Sequence, residues 1–173
     1  CGNTGALMAI STIRLRKLPG VYRPAIAILW PSSNSLGFNF MLDVGADIRA
    51  DAPDLLKYAL MGASYARNGF GLVRPRVGLL NVGTEEHKGR LELKEANDLI
   101  SESVENGEYE YVGFVEGNDI PSNRVDIIVT DGFTGNIALK TAEGTAKFII
   151  KNLKTSLTEN FISKLSLIFS YFS

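Results

Sequence analysis

Three clusters in this chain combine the residue types and spacing that chemistry on an anion requires. Asp131-Gly132-Phe133-Thr134-Gly135-Asn136 sets a hydroxyl and an amide among glycines, directly after an apolar run and at the opening of a helical pattern. A strand handing over to a helix presents backbone N–H groups and the positive helix end, which together hold anions. Gly2-Asn3-Thr4-Gly5-Ala6 has the same glycine-bracketed Asn/Thr composition. Gly132, Thr134 and Gly135 in the one, and Asn3, Thr4 and Gly5 in the other, are candidate contacts for a phosphate-like ligand. The plainer alternative is that Thr134 caps a helix and the glycines make turns.

The third cluster, Asn81-Val82-Gly83-Thr84-Glu85-Glu86-His87-Lys88-Gly89, also follows an apolar run. His87 is the single histidine, so any Ser-His or Cys-His nucleophile would need it, although a lone histidine among charged loop residues is more often solvated. Lys88 is either a surface lysine or a cation for a phosphate or a developing oxyanion. Glu116, Asp119 and Asp126 lack a metal-ligand spacing and read as turn and strand-end residues, and Asp43 and Asp47 around Gly45 read as a turn after a strand. No G-x-G-x-x-G or Walker loop is present, so nucleotide binding has no support.

Elements that would position these clusters are legible in the apolar runs. Pro24 to Trp30, Met41 to Val44, Arg76 to Val82, Tyr111 to Glu116 and Val125 to Thr130 have strand length and are continuous rather than alternating, the pattern of strands buried on both faces by helices. Between them, Ala52 to Arg67 carries Leu55, Leu56, Ala59, Leu60, Ala63 and Ala66 at helical spacing, with Pro53 in the first turn. Glu92 to Val104 reads as a more polar helix, and Thr4 to Leu18 as one turning Leu7, Ile10 and the Ile13/Leu15 pair toward a core. Pro31 to Gly37 reads as a surface loop. Strands alternating with helices define an α/β class.

Composition bounds the rest. With 173 residues there is room for one domain or part of a larger one, and 45% hydrophobic content supplies a core. Eighteen Lys and Arg against nineteen Asp and Glu leave a net charge of −1, which excludes a general nucleic-acid binder. One cysteine excludes an internal disulfide framework and a Cys-rich zinc site, and fits a reducing cytosolic compartment. The longest apolar stretch, Ala25 to Trp30, is far short of the ~20 residues that span a bilayer. A start at Cys1 without Met or a visible signal peptide reads as a fragment in preference to a lipidated N-terminus.

From Phe133 onward the pattern is one long helical stretch, in which Leu153, Leu157, Phe161, Leu165, Ile168 and Phe172 form an apolar stripe accompanied by Lys147, Lys151, Lys154 and Lys164. Such a basic amphipathic helix either packs on a core or partner subunit, which periodicity alone favours, or lies in a membrane interface.

Taken in order, Gly2-Asn3-Thr4-Gly5-Ala6-Leu7-Met8-Ala9, Leu42-Asp43-Val44-Gly45-Ala46, Gly78 to Glu86, Lys88-Gly89, Val112 to Gly117 and Asp131 to Gly144 resemble the PlsX family of phosphate acyltransferases over nearly the whole chain. The resemblance implies a three-layer α/β/α doubly wound sheet similar to isocitrate and isopropylmalate dehydrogenases, incomplete at both ends because the family carries an earlier Asp-Ala-Met-Gly-Gly-Asp segment and further helix beyond. It implies one domain over 1–173 with an amphipathic helical hairpin region at 145–173. The implied reaction moves a long-chain acyl group from acyl carrier protein to inorganic phosphate, forming acyl phosphate for phospholipid synthesis, with Lys88 and Asn136 as catalytic residues and neither cofactor nor metal. It further implies a homodimer in the cytoplasm, resting on the inner face of the bacterial membrane through Leu157, Phe161 and Leu165. Asp47 departs from the family, which has Asn there. The competing readings are a phosphate acetyltransferase-like enzyme acting on coenzyme A thioesters and a non-catalytic membrane-associated scaffold.

Overall fold

The apolar runs become a single five-stranded sheet built from β1 (Ala27–Pro31), β2 (Phe38–Leu42), β3 (Arg76–Leu80), β4 (Glu110–Val115) and β5 (Ile127–Val129), in the spatial order β1-β2-β5-β3-β4. The computed structural model describes residues 4–15, 24–85 and 88–159. Strands β2, β5, β3 and β4 run parallel, with Leu42 beside Val129, Val129 beside Leu79 and Leu80 beside Val115, so their carboxyl ends emerge together. Strand β1 alone is antiparallel, paired to β2 from Ala27↔Leu42 to Pro31↔Phe38.

Helices α1 (Thr4–Arg14), α2 (Ala52–Phe70), α3 (Leu91–Glu102), α4 (Val104–Gly107) and α5 (Gly132–Glu159) complete the mostly parallel sheet flanked by helices, in keeping with the three-layer α/β/α expectation. The chain divides into two compact units, Cys1–Ile137 and Ala138–Ser173; the sheet lies in the first. Helix α2 starts where Asp51 accepts a hydrogen bond from the Asp54 N–H at 2.9 Å, with Pro53 in the first turn, and stops at Gly71 in the left-handed region (φ 71°). Its Ala59, Gly62, Ala63 and Ala66 make a face of small residues, so it settles close to the sheet. A Cβ on Gly62 would come within 2.9 Å of Ile127 and 3.1 Å of Leu42. Phe40, Leu42, Val77, Leu79, Ile127 and Val129 meet α2 and α3 in the main core. Tyr109, buried beneath α3, donates to the Ile100 carbonyl at 2.5 Å, and burial pushes its phenol up to about 12.

Two readings of the sequence are corrected. Strand β1 is not buried on both faces: among the described residues it is the sheet edge, with alternating exposure, because only β2 pairs with it there. Pro31, which has no N–H to give a ladder, sits at the end of this edge strand. Helix α1 holds Ile10, Ile13 and Leu15 exposed rather than turned to a core, because no described element covers them. Residues 16–18 of the expected helix, and the side chain of Leu7, lie outside what is described.

A polar network ties the amino ends of the strands. Asn39 is fully buried, donating to the carbonyls of Ile120 (2.9 Å) and Ser122 (2.8 Å) and accepting from Asn34 at 3.1 Å. Asn34, in the β1–β2 turn read as a surface loop, is buried because it also donates to Asp126 at 2.7 Å. Arg76 grips Asp126 with a two-pronged fork, Nε to Oδ2 at 3.0 Å and Nη2 to Oδ1 at 2.9 Å, while its backbone N–H adds a bond of 2.8 Å. Asp126 is therefore an ion-paired anchor at a strand start. Burial by itself opposes its ionisation, but the Arg76 bonds and charge, with Asn34, outweigh burial and hold the carboxyl below its usual 3.8.

Because that pKa is lower folded than unfolded, the Asp126 contribution is present above the ordinary carboxylate value and fades as pH falls through the folded value. Asp126→Asn in the full-length protein is expected to cost about 2 kcal/mol at pH 7, reduced from a fully buried pair by the partial exposure of Arg76. Urea unfolding from pH 7 to pH 3 should show the gap between parent and variant closing in acid.

Candidate active site

Three connections leave the carboxyl ends of β2, β3 and β5, and their side chains hold one another in place. After β2, Asp43 has no exposed surface. Its Oδ1 accepts from the N–H of Ile26 at 2.8 Å, and its Oδ2 from Ala46 at 3.0 Å and Asp47 at 2.7 Å. These bonds wind residues 43–47 into a tight turn. The turn is joined to β5 through Asp43 N–H to the Thr130 carbonyl at 2.9 Å.

Helix α5 starts against this turn. Asp131 is the residue that caps it: Oδ1 accepts from the Thr134 N–H at 2.8 Å and Oδ2 from the Thr134 hydroxyl at 2.9 Å. Thr134, read from the sequence as a possible cap, is the residue being capped. The Gly132 N–H goes to the Asp47 carbonyl at 2.7 Å, and the Gly135 N–H to the Asp131 carbonyl at 2.9 Å. The amides of Gly132, Thr134 and Gly135, expected to be free for an anion, are thus engaged within the protein. Gly132 and Gly135 serve close packing instead: a Cβ on Gly132 would lie 2.6 Å from both Asp43 Oδ2 and the Asp47 carbonyl, and one on Gly135 would collide with the Asp43 carbonyl. Asp47 meets the start of α5 through its backbone oxygen, while its carboxylate accepts from the Arg49 N–H at 3.2 Å and the Tyr58 hydroxyl at 3.5 Å.

Asn136 follows, half-buried, with its side chain 3.7 Å from where a Cβ on Gly45 would stand. Among the described residues its amide has no hydrogen-bond partner, which leaves an N–H donor available to a ligand at the strand ends.

The connection after β3 is organised by Asn81. Its Nδ2 donates to the Lys88 carbonyl at 3.1 Å and its Oδ1 accepts from the Val82 N–H at 2.9 Å. Gly89 has φ +93°, and a side chain there would collide with Asn81, so only glycine lets the chain turn back onto it. Lys88 lies over Gly83 and pairs with Glu85, Nζ to Oε1 at 2.6 Å. The hydrogen bond to Glu85, aided by the charges of Glu85 and Glu116, raises the Lys88 pKa above its ordinary 10.5, so the ammonium stays charged through neutral pH. Next in sequence, Arg90 reaches across to Asp131 and joins the β3 connection to the start of α5.

Lys88 and Asn136 are therefore borne by the connections that follow neighbouring parallel strands. Thr4 and Gly5 open α1; the side chain of Thr4, and the residues Asn3 and His87, lie outside what is described. On the second unit, Leu157 is partly exposed on α5, while Phe161 and Leu165 lie outside the described residues. Glu116 and Asp119 form a turn, the Glu116 N–H donating to Asp119 at 2.9 Å. No group of acidic, His and Cys residues able to hold a metal occurs among the described residues. Sequence reading assigned no role to Arg90, Asp131 or Asn81, and Asp43 was read only as a turn residue; the one signal was the position of Asp43, Asn81 and Asp131 at or just past the ends of apolar runs.

A mostly parallel α/β sheet whose connections bear Lys88 and Asn136 after the carboxyl ends of neighbouring strands places this chain among α/β proteins, in which the strand termini are the usual place for a ligand. The chain belongs to the family described as "Fatty acid synthesis protein", whose model matches residues 1–171, which is the PlsX family. It is similar to proteins named phosphate acyltransferase: 73% identical to that of Paracoccus denitrificans over 164 residues, 95% of this chain and 44% of the relative. Against that of Cereibacter sphaeroides (strain ATCC 17025) it is 72% identical over 166 residues, 96% and 45% of the two chains. The protein from Jannaschia sp. is 67% identical over all 173 residues, 47% of its length. The chain thus spans somewhat less than half the length of these curated relatives.

Gly135→Ala is expected to destabilise the full-length protein by ~1–3 kcal/mol, because the added methyl must push α5 off the Asp43 backbone. A drop in the urea midpoint at unchanged slope is the readout; a variant as stable as the parent would contradict the close packing.

Proposed function

We propose that this chain forms the greater part of the site of an enzyme that transfers a long-chain acyl group from acyl carrier protein to inorganic phosphate, giving acyl phosphate for phospholipid synthesis. The observation that carries the reading is the 66–73% identity to proteins named phosphate acyltransferase, supported by Lys88 and Asn136 lying on the connections that follow the neighbouring parallel strands β3 and β5. The chemistry asks for little acid–base work. One phosphate oxygen bonds to the thioester carbonyl carbon, the C–S bond breaks with its electron pair on sulfur, and the carrier's thiolate takes a proton from solvent. Phosphate is already anionic and a thiolate leaves readily, so holding the two reactants together and stabilising charge are the main tasks. Lys88 offsets the phosphate charge, exchanging part of its bond with Glu85 for the incoming anion, and the Asn136 amide donates to the carbonyl oxygen as it becomes anionic. Asn3, Thr4, Gly5 and the Gly132–Gly135 turn border the phosphate in this reading, with the glycines acting by letting the backbones approach.

Lys88→Ala and Asn136→Ala in the full-length protein should each lower phosphate-dependent thiol release from palmitoyl-acyl carrier protein by about 10²–10³-fold. Parent-level rates in both would contradict these roles, and a preference of the parent for acetyl-coenzyme A would favour the acetyltransferase-like reading.

The second unit supplies the membrane contact and the homodimer keeps the sites paired in this reading. Among the described residues no helix is long and apolar enough to cross a membrane. Support for a surface contact comes from α5, where Phe148, Ile149, Leu153 and Leu157 are exposed beside Lys147 and Lys151. Phe161→Glu combined with Leu165→Glu should abolish co-sedimentation of the full-length protein with phosphatidylglycerol vesicles; unchanged co-sedimentation would return the stripe to protein packing.

A further inference from the structure

Arg90 stands at the N-cap of α3, where the favoured residues are Ser, Thr, Asp and Asn, and its side chain makes no cap hydrogen bond. It also sets a positive charge at the positive end of a helix, which is electrostatically unfavourable. Local rules thus argue against an arginine here, and a residue that breaks them is explained by what it does elsewhere. What Arg90 does is reach Asp131. Its own side chain is 57% exposed, whereas the Asp131 carboxylate it meets is only 3% exposed.

The two ends of that bridge are attached to the two proposed catalytic groups. On one side, Lys88 is two residues before Arg90, its carbonyl held by Asn81 at 3.1 Å and its neighbour Gly89 folded against the same asparagine. On the other, Asp131 fixes the first turn of α5 through the Thr134 N–H and hydroxyl and, through its carbonyl, the Gly135 N–H. Asn136 is the next residue. We infer that Arg90 and Asp131 are a positioning pair that holds the Lys88 connection in register with the start of α5 that carries Asn136. Resting on the acyl-transfer reading above, the inference assigns neither residue a contact with phosphate or thioester; both act through Lys88 and Asn136.

The test is a double-mutant cycle in the full-length protein with palmitoyl-acyl carrier protein and inorganic phosphate. Asn at 131 retains a cap acceptor for Thr134 and removes the charge, and Gln at 90 removes the charge while keeping length, so R90Q and D131N are chosen to preserve the fold. Each should lower kcat by about 10–100-fold, the scale of a small misplacement of reacting groups, with little change in thermal midpoint. The R90Q/D131N pair should be no slower than the slower single variant, because both remove the same bridge. R90K, which restores a cation, should recover part of the loss. Losses that multiply in the double variant, or R90Q alone raising the KM for phosphate while D131N is silent, would overturn the inference, the latter by making Arg90 a direct ligand of phosphate.

Amide hydrogen exchange tests the same bridge without activity. R90Q should speed exchange both at Lys88–Arg90 and at Gly132–Asn136, and unchanged protection in either segment would overturn the coupling. A parent lacking phosphate-dependent thiol release would contradict the acyl-transfer reading, whereas an active parent with an equally active R90Q contradicts the positioning pair alone.

Discussion

A carboxylate with no exposed surface must find its donors inside the protein, and Asp43 finds them in the N–H groups of Ile26, Ala46 and Asp47. That requirement shapes the carboxyl edge of the sheet. It winds the chain after β2 into a turn whose backbone becomes the surface on which α5 starts. Gly132 and Gly135 are glycines because that surface leaves no space for a Cβ, and the Asp47 carbonyl takes the first amide of the helix. Asn136 inherits its place from this contact, beside Gly45. Had the Asp43 carboxylate been exposed, nothing would oblige residues 43–47 to fold back, and the helix would lack its seat.

The two ends of the sheet divide their tasks. At the amino ends, Arg76, Asp126, Asn34 and Asn39 bond to one another and to neighbouring carbonyls. Such a network stabilises and fixes strand register. At the carboxyl ends, polar groups are also paired, but around them stand a charged Lys88 bonded to an exposed glutamate and an Asn136 amide with no partner among the described residues. Groups held in position yet not fully satisfied are those able to engage a substrate without prior rearrangement.

How much of this was readable from the chain follows from the range of each interaction. Strands β2, β3, β4 and β5 and helix α2 are local patterns: continuous apolar runs, small residues at helical spacing, Pro53 at the start. The exit of each strand into Asp43, Asn81 or Asp131 was equally visible, and so was the likeness to the family that the comparisons bear out. What failed was set by particular neighbours distant in sequence. The Pro24–Trp30 run looks like a strand buried on both faces, and only the pairing order makes it an edge among the described residues. Asp126 looks like a strand-end acid until Arg76, fifty residues away, is seen to grip it. Arg90 reads as one more surface arginine because Asp131 is 41 residues further on. The glycines of the Asp131–Asn136 motif were visible as residues, but their backbone amides are already engaged, which no local pattern reveals.

The central claim is that these strand ends join phosphate to an acyl carbon, and product analysis addresses it most directly. The full-length protein would be given palmitoyl-acyl carrier protein and phosphate uniformly labelled with ¹⁸O, and the products followed by ³¹P NMR and mass spectrometry. Attack by phosphate oxygen on the thioester predicts acyl phosphate with ¹⁸O in the bridge between carbon and phosphorus. Release of unlabelled palmitate, with phosphate left unesterified, would mean that water is the acceptor and would contradict the account.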